Sequence, residues 1–130
     1  MRFLQPPDWP RPKGYTNGVA ATGSLVFVSG MVGWNAQQEF VAVDFVGQVR
    51  QALHNIVDVL AQAQAKPEHI ARMTWYVIDK NEYVAAAREI GPIYREIIGR
   101  HYPAMTVVEV SGLLEEKARL EIEVTAVLPE

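Results

Sequence analysis

Hydrophobic and polar positions alternate most cleanly near the C-terminus. Leu120, Ile122, Val124 and Ala126 share one face of an extended segment, and Arg119, Glu121, Glu123 and Thr125 share the other. That period of two predicts a strand over 119–127 with one dry face. Leu25-Val26-Phe27-Val28 is apolar on both faces, so Leu25–Ser29 predicts a strand covered on both sides. Tyr15–Ala21 is a further short strand candidate, and Thr22-Gly23-Ser24 between the two has the composition of a hairpin turn. Gly30 and Gly33 break the run around Met31 and Val32. Asn35–Phe40 is polar and predicts a loop, with room for a short edge strand to Val43.

The period then changes. Val49, Leu53, Ile56, Val57, Leu60 and Ala63 recur at helical spacing behind Asp44, a good N-cap residue, and predict a helix over 44–65 with Gln48, Arg50, Gln51, Asn55 and Asp58 mainly elsewhere around it. Lys66-Pro67-Glu68-His69 reads as a solvated, weakly basic turn with Pro67 at a first helical position. Ile70–Ile78 is rich in β-branched and aromatic residues and predicts a strand. Asp79 followed by Glu82 has the form of a capping box, opening a second helix marked by Tyr83, Ala87, Ile90, Tyr94, Ile97 and Ile98. Gly91-Pro92 falls inside that pattern and predicts a kink or break there. Met105–Val110 is the remaining strand.

The resulting order, β-β-α-β-α-β-β, is an α+β arrangement with one sheet and two helices on one face. Two helices about 10 Å wide cover about the width of four strands spaced about 4.8 Å apart. The other sheet face is then bare in a single copy, although Leu25–Val28 and Met73–Ile78 offer it apolar or aromatic side chains. A second copy of the chain is the simplest cover, which predicts an oligomer.

Composition adds limits. A chain of 130 residues suits one domain spanning 1–130. Its start, residues 1–13, carries Pro6, Pro7, Pro10 and Pro12 and reads as an extended arm pinned by Phe3, Leu4 and Trp9. It lacks the apolar core of a signal peptide. Twelve Lys+Arg against fifteen Asp+Glu give a net charge of −3, which argues against a general nucleic-acid binder. The absence of cysteine excludes disulfides, thiolate metal sites and a cysteine nucleophile, and suits a cytoplasmic location. No uncharged apolar run is long enough to span a membrane.

No phosphate-loop, dinucleotide, serine-hydrolase, zinc-protease or EF-hand motif is present. His54, His69 and His101 sit on different predicted elements, so neither a metal site nor a cofactor is expected. Glu121 and Glu123, two apart on one strand face, could do acid–base work or could simply be solvated or cation-paired. Tyr15, Trp34 and Trp75 are candidate pocket walls, with sheet core or interface the alternative for Trp75.

Phe27-Val28-Ser29-Gly30, the long first helix, Thr74–Asp79, Tyr102-Pro103-Ala104 and Leu120-Glu121-Ile122-Glu123 occur in an order and spacing that resembles the RidA/YjgF family, also called L-PSP endoribonuclease-like, over about residues 14–128. The resemblance implies a chorismate-mutase-like fold, a homotrimer, and small-molecule clefts between adjacent subunits. It implies that active members hydrolyse enamines and imines such as 2-aminoacrylate to ketoacids and ammonia. The family signature P-A-R-[ST] reads Pro103-Ala104-Met105-Thr106 here, so Met105 replaces the arginine that grips the substrate carboxylate. The chain thus resembles the arginine-lacking branch. By the same resemblance Glu121 is the catalytic candidate and Tyr15, Ser29 and Gly30 are substrate-binding candidates; Met105, at the altered motif position, Val107 beyond it and the aromatic Trp34 complete the substrate-binding set.

Three functions are compatible with these features. One is an enamine or imine hydrolase of altered specificity, with Glu121 as general acid/base and a displaced cation, Arg88, Arg95 or Arg100, in place of the lost arginine. Another is a non-catalytic trimer that binds a metabolite or a protein. The third, a ribonuclease, is disfavoured by the net negative charge.

Overall fold

A computed structural model describes all 130 residues. Along the chain run β1 (Arg2–Leu4), β2 (Gly18–Ala20), β3 (Ser24–Val32), α1 (Phe45–Ala61), a 3-10 turn (Pro67–His69), β4 (Ile70–Val77), α2 (Lys80–Ala85), α3 (Ala87–Ile97), β5 (Ala104–Glu109) and β6 (Leu120–Leu128). The main sheet has the order β3-β6-β4-β5. β6 is antiparallel to both neighbours, and β4 pairs in parallel with β5. A parallel pair needs a crossover, which α2 and α3 supply.

The alternation of β6 holds as expected. Leu120, Ile122, Val124 and Ala126 are buried with Met73, Trp75 and Val77 of β4 and Val28 of β3. Against them α1 lays Phe45, Val49, Ala52, Leu53, Ile56 and Leu60, and α3 lays Ile90, Ile93 and Tyr94. Each fully buried aliphatic side chain contributes about 1.5–3 kcal/mol, so this one seam fixes which sheet face the helices cover. The opposite face carries Leu25, Phe27, Ser29, Arg72, Thr74, Tyr76, Val108, Glu121 and Glu123. It is amphipathic, not apolar throughout. Its exposed apolar members are Leu25, Phe27 and Val108, with Phe27 71% exposed.

Several local expectations change. No hairpin joins 15–21 to 25–29: β2 pairs with β1 in a separate two-stranded ribbon, so the N-terminal arm takes the hydrogen bonds the hairpin would have made. Phe3 on that arm packs on His101, ring centroids 5.9 Å apart, while Trp9 stays exposed. Residues 35–43 form no strand. The Asn35 side-chain oxygen accepts from the amides of Gln37 and Glu39 and folds the segment into a turn. The first helix stops at Ala61, short of 65, where Gln62, Ala63 and Gln64 tighten into i→i−3 bonds. Its Asp44 cap is present, accepting from the Gly47 amide at 3.2 Å.

The capping box of the second helix is half made. Asp79 accepts from the Asn81 amide, but Glu82 turns away to pair with Arg119 at 2.8 Å. The break in that helix comes at Ala86, whose backbone (φ −90°, ψ 0°) separates α2 from α3, and not at Gly91-Pro92. Pro92 lies within α3 on its exposed side, as does Arg88, whose carbonyl loses the usual i+4 donor.

Gln48 is the one polar side chain wholly withdrawn from water. Its amide nitrogen donates to the carbonyls of Ala42 (3.2 Å) and Lys117 (2.9 Å), and its oxygen accepts from the Arg119 amide (2.7 Å). It ties α1 to the loop before it and to the segment entering β6.

Candidate functional site

The first group of candidates lies on the open sheet face. Val28 of β3 pairs with Val124 and Met31 with Ile122, so Ser29 and Gly30 together oppose the single residue Glu123. This β-bulge re-aims the backbone beside β6. A Cβ on Gly30 would overlap the Glu121 carboxylate, with its carboxyl carbon at 2.6 Å, so the absence of a side chain is what lets Glu121 lie against the bulge. The two glutamates of β6 then differ. Glu123 accepts a hydrogen bond from the Tyr76 hydroxyl at 2.6 Å. That bond first, then desolvation and the charges of Glu123 and Glu121, holds the phenol above its ordinary range. Glu121, half-buried, has no hydrogen-bond or ion-pair partner in the chain. It is a carboxylate free to accept or donate a proton to a ligand.

The second group lies at the other edge of the sheet and on its helix side. The segment before β2 runs beside the start of β5: the Thr16 amide donates to the Pro103 carbonyl at 3.0 Å and Thr16 bridges Ala104 in parallel. This brings Lys13, Gly14 and Tyr15 over Met105 and Val107, which with Tyr83 line a recess of about 320 Å³. A cavity of about 380 Å³ adjoins it and shares Lys13, Gly14, Tyr83 and Met105. Its remaining wall includes Trp75 and Tyr94, which are buried, and Arg95, which is exposed. Trp75 and Tyr83 meet edge to face with centroids 5.8 Å apart. Burial raises the phenol pKa of Tyr83, and burial with the neighbouring Tyr102 raises that of Tyr94.

The candidates therefore separate. Glu121, Ser29 and Gly30 gather at the β3–β6 side of the sheet, and Tyr15, Met105 and Val107 at its β5 edge, where Tyr15 and Met105 also line a recess of about 230 Å³ with Arg72 and Thr106 of the open face. Trp34 joins neither. It packs on Phe40 at 5.7 Å, and its carbonyl accepts from Asn55. Trp75 is sheet core and cavity wall at once. Lys13 and Tyr83 carry no site signal in the sequence: the pattern places Lys13 in the N-terminal arm and Tyr83 at a helical core position. Of the three arginines considered as displaced cations, Arg95 alone lines the cavity beside Met105. The Nδ1 of His69 accepts from the Lys66 amide and His101 Nε2 bonds the Ile70 carbonyl, and no three acidic or histidine side chains gather to hold a metal ion. No helix is long and apolar enough to cross a membrane.

Residues 10–128 match the family described as Endoribonuclease L-PSP. A RutC family protein of Haemophilus influenzae is 33% identical over 105 residues, 81% of this chain and 80% of that one. A 2-iminobutanoate/2-iminopropanoate deaminase of Salmonella typhimurium is 31% identical over 116 residues, 87% and 86% of the two chains. Among solved structures, a Rid-family protein of unknown function from Yersinia pestis superposes with TM-score 0.83 at 29% identity, covering 98% of each chain. The TdcF protein of E. coli, solved with bound serine, gives 0.72 at 28% identity over 98% of this chain and 99% of that one. The shared architecture is the chorismate-mutase-like fold. With the family match spanning nearly its whole length, the chain belongs to the Rid/YjgF family, the endoribonuclease L-PSP family.

Proposed function

We propose that the chain acts as a homotrimer with small-molecule clefts between copies, and that it hydrolyses enamines or imines of altered specificity. The observation that carries this is the split site. The Glu121–Gly30 bulge lies at the β3–β6 side of the sheet and the Tyr15–Met105 recess at its β5 edge, with β4 between them, so one copy cannot close them on a single ligand. Two neighbouring copies can, and the exposed Leu25 and Phe27 on the open face supply apolar surface for that contact.

In such a cleft the protonated imine carbon takes up water. The Glu121 carboxylate removes the water proton as the C–O bond forms and returns it to nitrogen; the C–N bond then breaks to release ammonia while Glu121 takes the hydroxyl proton, leaving the carbonyl compound. The relatives named 2-iminobutanoate/2-iminopropanoate deaminases support the reaction class. Met105, standing where the family motif has arginine, supports the altered specificity: it offers no charge to a small imino acid's carboxylate at that point. The same methionine favours a second reading, a trimer that binds a metabolite or protein without turnover.

The test couples mass and rate. Sedimentation at micromolar concentration should give three chain masses, and a persistent 14.5 kDa species would refute the cleft. Ammonia release should be followed from imines generated in place by an amino-acid dehydratase or oxidase. Glu121→Gln should cut it about 10²-fold or more. Little acceleration of 2-aminoacrylate hydrolysis is expected. A rate unchanged by Glu121→Gln removes the catalytic role, and ligand binding with no turnover on any imine establishes the second reading.

A further inference from the structure

We infer that the cavity beside Met105 is a carboxylate-binding site anchored by Arg95 of α3, built for a ligand with a bulky apolar or aromatic body. The inference rests on reading the Tyr15–Met105 recess as one half of the ligand cleft, and it names what that half would take.

The cavity is lined by two cations, Lys13 and Arg95, and by no aspartate or glutamate. Neither cation is spent elsewhere. The chain's two ion pairs are Arg50–Glu96 and Arg119–Glu82, and no side-chain hydrogen bond uses Lys13 or Arg95. The guanidinium of Arg95 lies back over Gly91, with Nη1 3.4 Å from where a Cβ would stand. Long helical side chains lean toward the N-terminus, which brings this one over Gly91 and onto the cavity wall. A planar guanidinium left free in this way is a two-pronged partner for a carboxylate.

The remaining wall is apolar and aromatic: Trp75, Tyr83, Tyr94 and Met105. About 380 Å³ is within the usual range of small-molecule pockets and is more room than a two- or three-carbon acid fills. Trp75 adds a second observation. Its indole Nε1 is the one buried side-chain polar atom without a hydrogen-bond partner, and the residue is 1% exposed. Leaving such a donor unpaired is costly, so a wall that shifts to admit a ligand acceptor gains a hydrogen bond there. The methionine and the arginine thus belong together. Removing the charge at 105 moves the anchor one helix away, and the distance gained is filled by the ligand's body.

The probes are 3-phenylpropionate, its neutral amide 3-phenylpropionamide, and propionate, titrated calorimetrically into the full-length protein. Phenylpropionate should bind at least about tenfold more tightly than either of the others, since only it satisfies both anchor and wall. Arg95→Gln should weaken phenylpropionate about tenfold or more and leave the amide unchanged, and Arg95→Lys should restore part of the loss. Unchanged melting temperatures would show that these exposed-site variants fold. Equal binding of acid and amide, or indifference to Arg95→Gln, overturns the anchor. If propionate binds as well as phenylpropionate while Glu121→Gln still abolishes imine hydrolysis, the cleft stands and this inference fails. If no carboxylate binds and no imine is hydrolysed, both fail.

Discussion

Replacing Gln48 by methionine should destabilise the protein by about 3 kcal/mol, a large effect for a change that conserves length and bulk. The side chain is 0% exposed and makes three hydrogen bonds, to the Ala42 and Lys117 carbonyls and from the Arg119 amide. Methionine can fill the space but satisfies none of them. A buried polar group stripped of its partner costs about 1–3 kcal/mol. The Arg119 amide has a single donor and loses its partner outright. A carbonyl is less costly to leave under-satisfied than an N–H, so each of the two takes the low end of that range. Summed this way the loss is about 3 kcal/mol. With a urea slope of about 2 kcal/mol per M, the unfolding midpoint should fall by about 1.5 M. Measurements belong at one fixed protein concentration, because assembly would contribute to stability. Gln62→Met, at an exposed position past the helix end, is the control and should move the midpoint little. A Gln48→Met midpoint within about 0.3 M of the parent would refute the reasoning, for it would mean the loops 42–44 and 117–119 re-pair without help.

Gly30→Ala should act on function more than on stability. The new Cβ meets the end of a flexible side chain, so Glu121 can swing aside at a cost below about 1 kcal/mol, while imine hydrolysis falls up to about 10²-fold from its misplacement; unaltered turnover would show that the bulge does not position the carboxylate. Stability should also fall as pH rises above about 10. Tyr83 and Tyr94 have raised pKa values when folded, so above the unfolded value of 10.0 the unfolded state loses protons that the folded state keeps, and each contributes a decline of up to about 1.4 kcal/mol per pH unit until its folded pKa is passed. Tyr83→Phe should leave the urea midpoint at pH 8 nearly unchanged and flatten its fall above pH 10; an unaltered slope refutes the assignment.

Much of this fold is legible because burial is written locally. In β6 each apolar residue faces the helices and each polar one the open face, and no distant information is needed. Asp44 and Asp79 cap their helices because a cap involves only the next three residues. What the sequence conceals is competition between distant partners. Whether β2 pairs with β3 or with the arm depends on β1 being near, and β1 lies fourteen or more residues away. Glu82 has the spacing of a capping residue, yet Arg119 outbids the backbone for it. Gln48 carries a signal that goes unread when polarity is taken as exposure: Phe45, Gln48, Val49 and Ala52 fall on one helical stripe, and all four are buried.

The site divides along the same line. Glu121 is recognisable as a polar residue on the last strand, but its difference from Glu123 arises from Tyr76, which reaches Glu123 across the neighbouring strand and leaves Glu121 free. The choice among Arg88, Arg95 and Arg100 is a question of place along the helix as well as phase. Arg88 and Arg95 are seven residues apart and would share a face of one continuous helix. Both lie in α3, so phase alone does not separate them: Arg88 is the second residue of that helix and has no turn behind it to lie on, whereas Arg95 leans back across Gly91 and reaches the cavity. Gly91-Pro92 reads as a pair of helix breakers. Within α3 the proline is accommodated on the exposed side, and Arg95 lies back against the glycine at contact distance. A residue pair that predicts a kink is thus carried inside one helix, because the carbonyl that proline leaves without a donor falls on the exposed side and the packing of the other side decides the outcome.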